Sequence, residues 1–226
     1  MDDFTDDQDT FVDYTFNVSL CRLVGMQLLP TKLTVKLGIE IIADEDNDIQ
    51  VALNKINHWM DNFVSRAIAV SSMNSEGLSM LLDENNKPLL ENPLMVTPIE
   101  PTDHHLMFIF MSKITALADG AVEVVKVEIT SSDAQGLSFT YIGDGEGQLP
   151  DMDEWIPGEN WFDVPWWSRD DISMIDTVAP EGADLTVRPS WAATLDFLKP
   201  DYKDQAAIVI NGEWEPKIIE ADKKKK

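Results

Sequence analysis

The sequence predicts an α+β fold: an antiparallel or mixed sheet with two main helices on one face, followed by an irregular extension rich in tryptophan and proline. Three observations lead to this prediction. Apolar and polar residues alternate over 14–20, 33–39, 122–129 and 137–141, which is the period of half-buried strands. Apolar residues recur every three or four positions over 47–66 and 103–117, as in amphipathic helices. The C-terminal part of the chain holds six of its seven tryptophans among closely spaced prolines.

The composition divides the chain into four parts. Residues 1–13 contain six aspartates and no basic residue, so we expect a disordered acidic arm. Residues 14–143 hold the periodic segments and form the predicted α+β core domain. Residues 144–222 form an irregular, acidic extension, and the lysines at 223–226 form a basic tail that is either natural or a remnant of cloning.

Turn and capping residues set the limits of the predicted elements. The acidic run at 44–48 supplies capping groups for the first long helix. Thr102 is a suitable N-cap for the second, with Asp103 at its positive end and Asp119-Gly120 at its close. In the first half of the chain we predict strands at 14–20 and 33–39, a helix at 47–66, a helical continuation or short strand at 67–70 and a short helix at 75–82. A turn at 85–88 and an extended segment at 92–101 lead to the helix after Thr102. We then predict strands at 122–129 and 137–141 joined by a turn at 131–136, a short helix at 190–198 and a strand at 206–210.

The cysteine and histidine content argues against a metal centre. Cys21 is the only cysteine, which excludes an intramolecular disulfide and a cysteine cluster, and its apolar neighbours predict a buried, inert thiol. His104 and His105 are adjacent and point in different directions, so they cannot easily share one metal. His58 has no partner four residues away, and we expect ordinary histidines at all three positions.

Searches for other motifs give no catalytic signature. The run at 44–48 has carboxylates at alternate positions, but Ile49 and Lys55 stand where a calcium loop needs glycine and glutamate. The glycine cluster at 143–147 contains two carboxylates that would repel a phosphate, and the chain has neither a phosphate-binding loop nor a serine nucleophile elbow. We therefore predict no catalytic residue, no cofactor and no bound metal.

The overall charge bears on partners and location. The chain has 41 acidic and 17 basic residues, a formal charge of −24, which exceeds what solubility requires and would repel nucleic acid. The acidic N-terminus is the opposite of a basic signal-peptide start, and no apolar run reaches the ~18 residues of a membrane span. We expect a cytoplasmic protein without membrane contact. Its general character is common among bacteriophage products, which would place it in the host cytoplasm or the virion.

The segment 127–198 is the most informative part of the sequence. It has fifteen acidic residues against two arginines, a local formal charge of −13, and its tryptophans lie among the acids. Such a surface suits a basic protein partner, because charge steers the encounter and indole rings supply binding energy. The predicted partner-binding residues are Trp155, Trp161, Trp166, Trp167, Asp151, Asp153, Glu154, Asp163, Asp170 and Asp171.

The sequence leaves two classes of function open. The favoured class is a non-enzymatic interaction protein, which docks on a basic protein surface by imitating the phosphates of DNA or serves as a structural or assembly subunit, including in a homo-oligomer. The alternative is a carboxylate-rich enzyme that depends on a metal or acts on carbohydrate. A purely structural explanation also stays open, in which the tryptophans pin the extension to the core and the acids are a solvated face.

Overall fold

The computed structural model describes residues 11–43, 45–83, 89, 91–176, 181 and 185. Its strands and helices confirm the predicted α+β class. In chain order they are β1 (Phe11–Val24), β2 (Gln27–Ile41), α1 (Asp46–Asn62), β3 (Ile68–Ser71), α2 (Ser75–Leu82), β4 (Leu94–Thr97), α3 (Asp103–Ala118), β5 (Val122–Ser131), β6 (Ser138–Ile142) and α4 (Met152–Trp155), with short 3-10 helices at Val64–Arg66 and Trp166–Ser168.

The six strands form one mixed sheet in the order β4-β3-β1-β2-β5-β6. A long hairpin of β1 and β2 lies at its centre, β5 and β6 continue it with antiparallel pairing, and β3 and β4 add parallel pairing on the other side of β1. β1 begins at Phe11, three residues earlier than expected, because Phe11 to Asp13 still pair with Glu40 to Gly38 of β2.

Two apolar clusters lie on opposite faces of the sheet. The main core contains Ile56 and Trp59 of α1 together with most of α3, packed on alternate residues of β1, β2 and β5, so the two long helices share one face as predicted. A smaller cluster joins Leu23, Val70 and Leu81, which places α2 over the opposite face near β1 and β3.

The rest of that second face is polar. Lys36 of β2 forms an ion pair with Glu128 of β5, with 2.7 Å between Nζ and Oε1. Beside it, Thr34 donates a hydrogen bond of 3.0 Å to Asn17. Exposed polar rows of this kind give β2 and β5 the alternation that made them recognisable in the sequence.

Helix α3 differs from the expected amphipathic helix because it is buried on nearly all sides. The predicted stripe of apolar residues is inside, but so are His105 and Lys113. The reason is that the 3-10 helix at Trp166–Ser168 packs against α3 on the side that the sheet and α1 leave open.

Several predicted elements match the structure closely, and others fall outside it. Helix α2 spans the predicted 75–82, the first long helix ends at Asn62 and is followed by a 3-10 turn, and the ambiguous segment after it is a strand, β3. No helix within the described residues combines the length and apolar character needed to cross a membrane. Outside the described residues lie 1–10 of the predicted arm, the turn at 85–88, the helix at 190–198, the strand at 206–210 and the tail at 223–226.

The N-cap of α3 gives a first prediction. The hydroxyl of Thr102 accepts a hydrogen bond of 3.3 Å from the backbone N–H of His105. Because a lost cap leaves that donor unsatisfied, we expect Thr102→Ala to lower the free energy of unfolding by about 1 kcal/mol. Urea denaturation followed by far-UV circular dichroism measures the change. Thr102→Ser keeps the hydroxyl and should behave like the wild type; equal losses in both variants would contradict the capping role.

Candidate functional site

The extension after β6 is attached to the core by a group of buried charges. Lys113 projects from α3 and is fully buried. Its ammonium group donates hydrogen bonds to the backbone carbonyls of Trp166 at 2.7 Å and Arg169 at 2.9 Å, and to Oδ1 of Asp171 at 3.3 Å. Three oxygens of the extension therefore satisfy the three donors of one lysine.

Arg169 is the second cation of this group. Its Nε donates to Asp171 at 3.1 Å, and Nη1 donates to Asp176 at 2.6 Å and to the carbonyl of Val164 at 3.1 Å. Nη2 donates to the hydroxyl of Ser173 at 2.7 Å. The guanidinium also lies over the ring of Phe162, 3.8 Å from its centroid.

The buried carboxylate of Asp176 ties this charge cluster to the tryptophans. Oδ2 of Asp176 accepts from the backbone N–H of Trp166 at 2.9 Å and from the indole N–H of Trp155 at 3.1 Å. The indole N–H of Trp166 donates to the carbonyl of Val96 in β4 at 2.9 Å. Trp167 stacks edge to face between Trp155 and Trp166, with centroids 5.1 and 5.5 Å apart.

The four residues Lys113, Arg169, Asp171 and Asp176 are called here the buried ionic cluster, in which burial and neighbouring charges shift the pKa values of Lys113 and Asp171. Burial lowers the pKa of Lys113 to about 8, although the carboxylate of Asp171 opposes the shift. Burial alone would raise the pKa of Asp171, but the charges of Lys113 and Arg169 and the hydrogen bonds from Ser173 hold it below its usual value. These charges are paired with one another inside the protein, and each of the four side chains also forms a hydrogen bond with a backbone group.

The buried ionic cluster determines what the extension presents to solvent. Arg169 is the sole basic residue between 127 and 176, and it faces inward together with Lys113. The seven carboxylates between 144 and 163, by contrast, are exposed. We call these exposed carboxylates the acidic surface: Asp144, Glu146, Asp151, Asp153, Glu154, Glu159 and Asp163.

Part of the acidic surface surrounds a cleft of about 500 Å³. Asp151, Asp153 and Asp163 line it together with Asn160 and the ring of Phe162. Asp151 also caps α4, because its Oδ1 accepts from the backbone N–H of Glu154 at 3.0 Å. Within the described part of the chain, no group of three or more histidine, cysteine or carboxylate side chains is placed to hold a metal ion.

The structure separates the predicted partner-binding residues into three groups. The carboxylates at 151, 153, 154 and 163 are exposed, and Trp155, Trp161 and Asp170 are partly exposed. Trp166, Trp167 and Asp171 are buried, with at most 8% of each exposed. Trp166 and Trp167 fill the space beside α3 and Asp171 compensates buried cations, so these three side chains are not part of the exposed surface.

The sequence reasoning missed Lys113, Arg169 and Asp176. Lys113 carried a usable signal, since it lies within the apolar stripe of α3 directly before Ile114. A charged residue at such a position requires a buried counter-charge. Nothing in the sequence identified Asp171 and Arg169 as its partners, because they lie more than fifty residues away.

The histidines and the cysteine have structural surroundings. His104 stacks edge to face on Phe108 and Phe139, and burial and the charge of His104 lower the pKa of His105 to about 4. Cys21 is half-buried, less than expected, and burial raises the pKa of its thiol. A raised pKa leaves little of the reactive thiolate at neutral pH.

Comparisons with known proteins add little to this description. No protein-family model matches the chain, and no curated protein matches it. Among solved structures, the chain is similar to an uncharacterized protein of Wolinella succinogenes, with 14% sequence identity, a TM-score of 0.42, and coverage of 58% of this chain and 97% of that one. A likeness at this TM-score carries no argument about function.

Removing one buried carboxylate should destabilise the whole fold. Asp171→Asn keeps the shape of the side chain but leaves Lys113 and Arg169 without one of their counter-charges. We expect the free energy of unfolding to fall by about 3 kcal/mol, the order observed when one partner of a buried ion pair is removed. Asp163→Asn removes an exposed carboxylate and should change it by less than about 0.5 kcal/mol. Urea denaturation of both variants decides; similar small effects would contradict the anchoring role.

The lowered pKa of Lys113 predicts a pH dependence of stability. Between the folded value of about 8 and the ordinary value of 10.5, the unfolded chain holds a proton that the folded chain has released. The free energy of unfolding therefore rises with pH, by up to about 1.4 kcal/mol per unit. We expect the advantage of the wild type over Lys113→Met to grow from about pH 8 to about pH 10. Urea denaturation at several pH values measures it, with Lys126→Met as the exposed-lysine control, and a constant or shrinking difference would refute it.

Proposed function

We propose that this chain is a non-enzymatic interaction protein that docks on a basic protein surface through the acidic surface. The observation that carries the proposal is the separation of charge in the extension. Arg169 of the extension and Lys113 beside it are buried and engaged with carbonyls and carboxylates, while seven carboxylates between 144 and 163 remain exposed. The extension therefore presents a field of one sign to solvent.

Such a field favours association with a cationic partner in two ways. It accelerates the encounter and orients the partner, and it disfavours acidic competitors. Affinity also needs apolar contact, for which the partly exposed Trp155 and Trp161 and the exposed Val164 and Leu185 are available near the carboxylates. Like-charge repulsion between two copies makes this surface unsuited to self-association.

The buried ionic cluster supports the proposal through preorganisation. An irregular segment would lose entropy when it became ordered on a partner, and this loss would weaken binding. Here the backbone near the acidic surface is held in place before any partner arrives, by Lys113 and Asp176 in particular. In the sharper form of the proposal, the partner is a protein whose basic site otherwise takes nucleic acid, and the carboxylates occupy the positions of phosphates.

Charge reversal within the acidic surface tests the proposal. The full chain is immobilised, a bacterial lysate is passed over it, and bound proteins are eluted with rising salt. We expect basic proteins to be retained by the wild type and retained at least tenfold less by Asp153→Lys/Glu154→Lys/Asp163→Lys. The reason is that the exchange removes both the attraction and its local pattern.

A matched variant separates a specific surface from total charge. Asp61→Lys/Glu91→Lys/Glu100→Lys changes the net charge equally at exposed positions outside the acidic surface. The proposal requires this control to retain the same proteins as the wild type. Equal losses in both triple variants, or identical retention by all three proteins, would refute docking at the acidic surface. Release of the bound proteins by short DNA duplexes would support the sharper form.

A further inference from the structure

The two edges of the sheet are built differently. At the β4 edge, the backbone N–H of Val96 donates to the carbonyl of Met174 at 2.9 Å, and the carbonyl of Val96 accepts from the indole of Trp166 at 2.9 Å. Both outward-facing backbone groups of Val96 are thus used within the chain. The extension therefore occupies this edge at Val96.

The β6 edge has no such cover within the part of the chain that the structure describes. β6 pairs with β5 from Ser138 to Ile142, and β5 alone of the described strands lies beside it. Alternate residues of an antiparallel edge strand direct their N–H and C=O groups away from the sheet. These groups form a template for one more strand.

The sequence of β6 lacks the devices that normally protect an edge. Its residues, Ser-Phe-Thr-Tyr-Ile, include no charge, no proline and no glycine, and all but serine favour strands. Natural edge strands are usually blocked by lysine, proline or a bulge. Apolar side chains are instead exposed here: Leu137 is 67%, Phe139 38% and Ile142 74% exposed.

The two ends of β6 carry carboxylates. Asp133 lies in the turn before it, and Asp144 and Glu146 of the acidic surface follow it directly; all three are exposed. A strand added here would meet an uncharged centre with carboxylates at each end, and the exposed Lys126 of β5 would lie one strand behind Ile142. The complementary segment has apolar or hydroxyl side chains in its middle and lysine or arginine at its ends.

We propose that β6 receives an extended, cationic segment of a partner protein as a seventh strand of the sheet. The inference rests on the proposed function and names its mode of recognition. Backbone hydrogen bonds supply affinity, exposed Leu137 and Ile142 supply apolar contact, and the carboxylates at the ends of β6 select a basic segment. Docking by strand addition differs from docking of a folded surface, because the segment must be extended.

Three synthetic peptides separate strand pairing from simple charge attraction. The probe is Lys-Lys-Val-Thr-Val-Thr-Val-Lys-Lys. One control replaces the three central residues by proline, which keeps the charge and removes the donors that a strand needs. The other replaces the four lysines by glutamates. With the full chain, we expect the probe to bind at least tenfold more tightly than either control in fluorescence anisotropy.

Amide hydrogen exchange locates the bound peptide. In the free full chain we expect alternate amides of residues 138–142 to exchange rapidly, and the probe to slow those same amides at least tenfold. Leu137→Lys adds a like charge beside the incoming strand and should weaken probe binding about tenfold. Met73→Lys makes the same apolar-to-lysine change at a residue that is 78% exposed in the turn after β3, four strands away from β6 in the sheet order, and should bind as the wild type does.

The outcomes distinguish this inference from the proposed function. Equal, salt-sensitive binding of the probe and the proline peptide would overturn strand addition while leaving docking at the acidic surface intact. If the outward-facing amides of β6 are already protected from exchange in dilute free protein, strand addition by a partner is overturned. Such protection would mean that this chain's own remaining residues cover the edge. Protection that appears only as protein concentration rises would overturn it in favour of a second copy. Absence of binding by every cationic peptide would count against both proposals.

Discussion

The ammonium group of Lys113 lies inside the protein, and the oxygens that compensate it belong to the extension. A lysine on a helix that faces the core is strongly unfavourable unless its donors are satisfied, so α3 and the extension depend on each other. The extension supplies the carbonyls of Trp166 and Arg169 and the carboxylate of Asp171. Once these are fixed, Trp166 and Trp167 fill the space beside α3 and complete the main core.

This mutual dependence also explains how an irregular segment acquires a defined shape. The stretch from 144 to 176 contains little regular structure beyond α4 and one 3-10 helix. Its backbone groups cannot satisfy one another in a ladder, and side chains of the buried ionic cluster replace the ladder. Most of these bonds are made by Arg169 and Asp176, both of which belong to the extension. The exposed carboxylates of the extension are those that are not paired with a buried cation.

Local signals in the sequence were sufficient for much of the fold. Helix α2 and the cap at Thr102 depend on residues within a few positions of each other, so propensity and capping chemistry identified them. The two halves of the central hairpin showed the alternation of a sheet with one polar face. The parallel strands β3 and β4 are only four residues long and are buried on both faces at Ile68 to Val70, so they gave no alternation.

Long-range pairing limited what the sequence could reveal about the site. The carboxylates at 151, 153 and 163, which the sequence predicted to lie on an acidic surface, are exposed. Asp171 looks no different in the sequence from its neighbour Asp170, yet it is buried against Lys113, fifty-eight residues away. Tryptophans among acids are likewise equally compatible with a binding face and with a core, and the space beside α3 decides between the two for Trp166 and Trp167.

The bonds that Val96 makes with Met174 and Trp166 limit how far a sheet of this kind can grow. Open-ended growth of a fibre by strand pairing needs an unpaired edge strand on both sides of each subunit's sheet. Every added subunit then provides an edge for the next one. Because the chain's own backbone and the indole of Trp166 occupy β4 at Val96, a strand that pairs with β6 offers no route to further growth through β4. Trp166 both completes the interior and occupies β4 at Val96, so a strand added at β6 would not create a matching site on the opposite side of the sheet.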